Sequence, residues 1–294
     1  MIALLRRWGE LVTFSHTIFM MPFAAAAVVL ALSVPHQPMT ALRVLAMVGC
    51  MITARSSAMA FNRWADRDVD AKNPRTKNRP VAAGRIGAGE ALALTVVAGA
   101  VFCGLAWTLG SWPGLLAPPV LAILLGYSYA KRFTWAAHGW LGLALALAPG
   151  GAWIGMGAAP GAGIVLLMVA VLSWLFGFDV LYALQDEHFD RKEGLHSVPA
   201  RFGTKRAMLM AAAAHVVTVG ALVGTGLTLH RGAIFFGGVT VVAIVLVVEH
   251  RLVRPRDKSS GPVDFARIGK AFFDCNAYVS LGFFATTALD AALR

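Results

Sequence analysis

NRWADRDVDAKNPRTKNRP, residues 62–80, sets three carboxylates and six cations between two stretches made almost entirely of hydrocarbon, about Thr40–Phe61 and Ala88–Leu109. Apolar stretches of this length cross a bilayer as helices, so the charged segment is a loop held at one membrane face. If its first part is helical, Asn62, Asp66 and Asp70 fall at i, i+4 and i+8 and share one face. Like charges at that spacing repel, so a cation belongs between them. Hard oxygen donors favour Mg²⁺, which keeps some waters and shares its remaining positions with a phosphate. Arg75 and Arg79 follow at the same four-residue spacing, suited as planar forks to the other oxygens of a pyrophosphate.

Working outward, Asp179-Val-Leu-Tyr182-Ala-Leu-Gln-Asp186-Glu-His-Phe-Asp190 repeats the design, with Asp186 and Asp190 four apart. Two such clusters suggest two metal ions. A lone pair of acids at this spacing is usually a solvated face. Here both clusters close a long apolar run and both are followed by cations, and charge at a membrane edge is costly enough to mark function. Asp66 and Asp186 are 120 residues apart, which hints at an internal duplication, although little else aligns.

The chain is 58% hydrophobic and 14% charged, with a mean hydropathy of +0.68, as in a polytopic membrane protein. A net charge of +11 does not point to nucleic acid, because the basic residues lie in short loops and form no soluble basic domain. Cys50, Cys103 and Cys275 fall in apolar segments without metal or redox spacing and read as packing residues.

Nine spans are expected: about His16–Val34, Thr40–Phe61, Ala88–Leu109, Pro113–Ala130, Ala136–Met156, Ile164–Leu184, Ala207–Leu229, Gly232–Glu249 and Ile268–Ala292. The small residues Ala24–Ala27 resemble a signal-peptide cleavage site, but the apolar stretch continues past them. Arg55 lies inside the second span, two turns before Asn62, and is placed to snorkel toward the same edge. If the loops alternate sides, one side holds 23 of the 26 Lys and Arg residues and the other only Arg43, Arg231 and Arg294. That bias puts the N-terminus and both acidic clusters in the cytoplasm of a bacterial-type inner membrane, with the C-terminus outside. No linker or second domain is evident, so residues 1–294 read as one all-α domain, a bundle of about nine transmembrane helices.

Two carboxylate clusters with cations at a membrane edge suit a substrate having a pyrophosphate head and a lipid tail. Metal would neutralise the leaving pyrophosphate, and an electron-rich acceptor would capture the allylic cation in a pocket poor in water. The excess of Arg and Lys on that face suits an acceptor bearing a carboxylate, and ring attack suits a hydroxylated aromatic acid.

These residues resemble the UbiA superfamily of intramembrane aromatic prenyltransferases. Asn62-x-x-x-Asp66-x-x-x-Asp70 looks like its first aspartate-rich motif and Tyr182-x-x-x-Asp186-x-x-x-Asp190 like its second, and the likeness runs over nearly the whole chain. The resemblance implies that Asn62, Asp66, Asp70, Asp186 and Asp190 hold Mg²⁺ and pyrophosphate, with Arg75 and Arg79 on phosphate oxygens. It implies that Tyr127 and Lys131 lie near the prenyl cation and the diphosphate; otherwise Tyr127 is a belt aromatic and Lys131 a topology charge. Tyr182 carries the same two readings. Asp179, deeper in the sixth span, is either a proton acceptor or a neutral structural group. Gly194, Ser197 and Arg201-Phe202-Gly203 match the segment after the second motif, and His188 and His196 read as solvated or structural. The implied activity is transfer of a polyprenyl group from a prenyl diphosphate to a ring carbon in ubiquinone or menaquinone biosynthesis.

One departure bears on the acceptor. Hydroxybenzoate-type members carry an Arg-x-Asp-Lys-Pro-like segment leading into the first helix, where this chain has Phe14-Ser15-His16-Thr17-Ile18-Phe19. That lead and Arg55-Ser-Ser-Ala-Met-Ala-Phe-Asn62 resemble a branch associated with menaquinone precursors, so a 4-hydroxybenzoate-like ring and a dihydroxynaphthoate both stand. A transporter coupling ions through the two clusters is the non-enzyme alternative, opposed by the gathering of acids on one face rather than at the midplane. A CDP-alcohol phosphotransferase is opposed by the missing Asp-Gly and Ala-Arg signature and by nine spans.

Overall fold

The computed structural model describes residues 17–254, 269 and 271–294, all helix and connecting turn with no strand among them. The helices are α1 (Thr17–Ala31), α2 (Ala41–Ala65), α3 (Arg67–Lys72), α4 (Ala88–Leu109), α5 (Ser111–Ala130), α6 (Ala137–Gly155), α7 (Ala162–Ala183), α8 (Glu187–Lys192), α9 (Val198–Phe202), α10 (Thr204–Thr228), α11 (Ala233–Val253) and α12 (Asn276–Ala292).

Among the described residues nine helices are long, one for each expected span, and six of these are long and apolar enough to cross a membrane by themselves. The other three, α1, α6 and α12, are the shortest, at 15, 19 and 17 residues. The expected boundaries shift where helix and apolar stretch do not coincide. Backbone hydrogen bonding carries α2 four residues past Phe61, so Asn62 belongs to the helix. It likewise starts α10 at Thr204 and ends α11 at Val253. At the other face, α5 begins at Ser111, because Pro113 sits in a first turn that needs no partner for its nitrogen. The break before it falls at Gly110, whose φ of 145° is open to glycine and closed to other residues.

The chain divides into two compact units. The first holds α2–α5. Here α2 and α4 approach closely along small residues, and Ser57 donates to the Thr95 carbonyl at 2.8 Å. Arg43, one of the three cations expected on the far side, donates to the carbonyls of Leu109 and Gly155, which would otherwise be orphaned at helix ends.

The second unit holds α1 and α6–α12. Helix α7 is apolar on every side up to Asp179 near its end, and the candidate span it opens, Ala162–Lys192, is the most enclosed, with 61% of its apolar window buried against 22–33% for the other five. Phe23, Trp174, Phe235 and Phe283 join α1, α7, α11 and α12 in one aromatic cluster, with ring centroids 4.9–5.5 Å apart. Where hydrocarbon surrounds a bundle, small residues permit close helix approach. Gly142 of α6 is such a residue: a Cβ there would lie 2.6 Å from the Leu172 carbonyl oxygen of α7. Gly142→Ala should therefore cost about 1–3 kcal/mol by overpacking. Gly151→Ala, with nothing within 4 Å, should cost nothing or gain up to about 1 kcal/mol of helix propensity. Thermal unfolding of the two variants in detergent separates these outcomes, and equal midpoints would refute the contact.

Candidate functional site

In the first unit, α2 stops at Ala65 and α3 starts at Arg67. Between them Asp66 sits in the bridge region at φ −93°, ψ 3°. The bend does not break the four-residue register. Asp66 N donates to the Asn62 carbonyl at 2.9 Å and Asp70 N to the Asp66 carbonyl at 2.7 Å. The expected shared face is thus kept, although the segment is two helices rather than one. Asn62 Nδ2 donates to Asp66 Oδ2 at 2.8 Å, and Arg63 Nη1 donates to Asn62 Oδ1 at 3.4 Å.

Asp70 is buried, and both its oxygens accept from Arg79 Nη1, at 2.7 and 2.9 Å. The loop that brings Arg79 back is built, not slack. Asn73 Oδ1 accepts from Arg75 N at 2.9 Å, Thr76 Oγ1 donates to the Asp70 carbonyl at 3.2 Å, and Val81 and Ile86 are sunk into the α2/α4 core beside Ala60 and Leu94. Arg75 itself is exposed. Tyr127 is half-buried near the end of α5. The buried Arg63, which sequence reasoning missed, interacts electrostatically with Asp66, Asp70, Tyr127 and Arg79. Its position directly after Asn62 inside a helical stretch was the available signal.

The second unit repeats the local design. Helix α7 ends at Ala183, a tight 3₁₀ turn covers Leu184–Asp186, and Asp186 takes φ −96°, ψ 0° before the six-residue α8. Asp66 and Asp186 therefore bend their chains in the same conformation, each followed by a six-residue helix that ends in lysine. This local likeness strengthens the hint of duplication. Asp186 and Asp190 are both buried. Lys131 Nζ lies 3.7 Å from Asp190 Oδ2, an ion-pair distance but too long for a hydrogen bond. The loop after α8 is tied to the same lysine, since His196 N donates to the Lys131 carbonyl at 2.7 Å. Ser197, fully buried, caps α9 and hydrogen-bonds to Asp190. Tyr182 is half-buried, while His188 and His196 are exposed, the first of the two readings given them. Asp179 Oδ2 is 2.6 Å from Nδ1 of His138, a buried residue of α6 that the sequence reading did not single out. The Phe14–His16 part of the lead into the first helix lies outside the described residues.

Among the described residues no three His, Cys, Asp or Glu side chains gather closely enough to hold a metal by themselves. The donors nonetheless suit Mg²⁺. They are hard oxygens, and Asp190 Oδ2 is a buried carboxylate oxygen without a hydrogen-bond partner. A cation that retains waters and binds a substrate phosphate needs only one or two protein carboxylates.

A profile described as the UbiA prenyltransferase family matches residues 19–273. The 4-hydroxybenzoate octaprenyltransferase of Nitrosomonas europaea is 32% identical over 253 residues, covering 83% of this chain and 80% of the relative. A protein of the same name from Pseudomonas fluorescens is 31% identical over 264 residues, covering 85% and 81%. Among solved structures, the apo UbiA homologue from Aeropyrum pernix superposes with a TM-score of 0.81 at 30% identity, covering 94% of this chain and 98% of that one. The Archaeoglobus fulgidus homologue bound to GPP and Mg²⁺ superposes with a TM-score of 0.68 at 18% identity, covering 96% and 99%, a likeness of fold.

Proposed function

Since this chain belongs to the UbiA prenyltransferase family, we propose that it transfers a polyprenyl group from a prenyl diphosphate to a ring carbon of 4-hydroxybenzoate, a step of ubiquinone biosynthesis. The observation that carries the reading is the pair of acidic motifs bent alike at Asp66 and Asp186, each keeping a buried carboxylate one turn further on. The names of the relatives support 4-hydroxybenzoate as acceptor. A dihydroxynaphthoate is the second reading, carried by the Phe14–Phe19 lead and the Arg55–Asn62 segment. We read residues 1–294 as a single catalytic domain, since the sequence shows no linker.

In this proposal Asn62, Asp66, Asp70, Asp186 and Asp190 hold Mg²⁺, and Arg75, Arg79 and Lys131 bind phosphate oxygens. Bound Mg²⁺ would neutralise the charge gathering on the departing pyrophosphate. Tyr127 and Tyr182 offer ring faces to the allylic cation, which an aromatic quadrupole attracts. The surrounding bilayer helices keep water, a competing nucleophile, from the cation. Both motifs face the cytoplasm, following the loop charges.

One experiment tests acceptor, chemistry and sidedness together. Inverted and right-side-out membrane vesicles receive Mg²⁺, geranyl diphosphate, 4-hydroxybenzoate and a dihydroxynaphthoate in competition, and products are identified by mass. Carbon-prenylated hydroxybenzoate should form in inverted vesicles alone, because geranyl diphosphate does not cross the membrane. Naphthoate product would move the assignment to the second reading, and product only in right-side-out vesicles would overturn the sidedness. Transfer to neither ring would overturn the proposed activity.

A further inference from the structure

Arg63 follows Asn62 within α2 and is only 8% exposed. Its guanidinium makes one loose contact and leaves another unmade. Nη1 donates to Asn62 Oδ1 at 3.4 Å, long for a hydrogen bond, and Nε is buried without a hydrogen-bond partner. The other end of the same amide fixes its orientation, since Asn62 Nδ2 donates to Asp66 Oδ2 at 2.8 Å and to Ser128 Oγ at 3.5 Å. The amide oxygen, the one side-chain atom of Asn62 able to ligate a hard cation, is therefore the atom that faces Arg63. Further along the motif, both oxygens of Asp70 accept from Arg79 Nη1, at 2.7 and 2.9 Å. Arg63 is attracted by Asp66 and Asp70 and repelled by Arg79.

This group joins two carboxylates to two guanidiniums, so its formal charges balance, and the side-chain oxygens of Asn62 and Asp70 are held by the protein's own cations. A balanced group attracts a divalent ion weakly, because the ion must also approach Arg63 and Arg79. Pyrophosphate changes that balance. It brings negative charge to set against both arginines, and its oxygens suit a guanidinium with an N–H still unpaired. Resting on the Mg²⁺ and pyrophosphate site proposed above, we propose that Arg63 is a resident counter-ion of the first motif that makes the metal and the pyrophosphate bind there together. Before substrate arrives, Arg63 holds the Asn62 oxygen. On arrival of the pyrophosphate it turns to a phosphate oxygen, gains an acceptor for Nε and releases the amide oxygen to the metal. Each ligand then favours the other, and the coupling is reciprocal by linkage. The first motif thereby takes up its metal with the substrate that is to be ionised.

The test is thermal unfolding of the purified full-length protein in detergent, titrated with Mg²⁺ alone and with inorganic pyrophosphate at fixed Mg²⁺. Wild type, Arg63→Gln and Arg63→Gln/Asp66→Asn are compared. Arg63→Gln should move the two ligands in opposite directions. Half-saturation by Mg²⁺ alone should fall about tenfold and half-saturation by pyrophosphate should rise about tenfold, the usual scale of a coupling between ligands. Adding Asp66→Asn should cancel the gain in Mg²⁺ affinity, which locates that gain at the first motif. A plain phosphate anchor would weaken pyrophosphate and leave Mg²⁺ alone unmoved, and a merely structural arginine would weaken both or neither. Unchanged or weaker binding of Mg²⁺ alone in Arg63→Gln therefore overturns the proposal. Arg63→Met, which keeps an apolar stem in the helix, carries the same expectations and the same refuting result if Arg63→Gln does not accumulate. A wild-type protein that pyrophosphate fails to stabilise in Mg²⁺ would overturn the pyrophosphate site itself, and that failure is thereby distinguished.

Discussion

Asp66→Asn and Asp186→Asn should each lower turnover by at least about a hundredfold, the scale of losing one preorganised electrostatic stabiliser. The substitutions keep shape and remove charge. Asp66 accepts a hydrogen bond from Asn62 Nδ2, and an asparagine oxygen can still accept it. The backbone bonds from Asp66 N to the Asn62 carbonyl and from Asp70 N to the Asp66 carbonyl involve no side chain, so the bend should survive. Protein yield should accordingly stay near wild type while activity falls. Two carboxylates one helical turn apart, roughly 6 Å, repel by about 3 kcal/mol at an effective dielectric of about 20. Proteins retain such pairs where a cation is to be bound. If both motifs serve one pyrophosphate, the double variant should lose far less than the product of the single losses. Product formation measured at matched protein levels decides this, and an active double variant would defeat the mechanism.

Chelation should remove activity altogether, and Mg²⁺ should restore it. Two of the protein's own cations are already engaged by the motif carboxylates: Arg79 takes both oxygens of Asp70, and Lys131 stands off Asp190 at 3.7 Å. An incoming pyrophosphate adds several negative charges beside the carboxylates of either motif, where Arg79 and Lys131 are already engaged by Asp70 and Asp190. Binding should therefore require the divalent ion even before any chemistry. Pyrophosphate should raise the thermal midpoint of the purified protein with Mg²⁺ present and leave it unmoved in chelator. Full turnover in chelator, or an equal midpoint shift with and without Mg²⁺, would contradict the assignment.

The repeated bend has a consequence for how such motifs are recognised. Residues at i, i+4 and i+8 were expected to form one continuous helix face, and the register is kept although the helix is not. The side-chain spacing is the same with or without the bend, so the motif spelling carried no sign of it.

What the sequence determined by itself is what depends on local composition. Apolar runs of about 20 residues must be helices, because in hydrocarbon only a helix satisfies a segment's backbone polar groups within the segment itself. Clusters of carboxylates and cations closing those runs were expected at membrane edges, which singled out Asn62–Arg79 and Asp186–Asp190, with Asp179 deeper in its span. Tertiary structure decided the pairings between residues far apart in the chain. Lys131 reached Asp190 across 59 residues and His138 reached Asp179 across 41, in each case because α7 and its following turns pack within the same unit. Arg79 turned back to Asp70 only because Val81 and Ile86 anchor the intervening loop in the core. His138 left no mark in the sequence, since one histidine near the start of an apolar helix looks alike whether it faces lipid, packs inertly or holds an acid. Which of these it does depends on the neighbour that folding supplies.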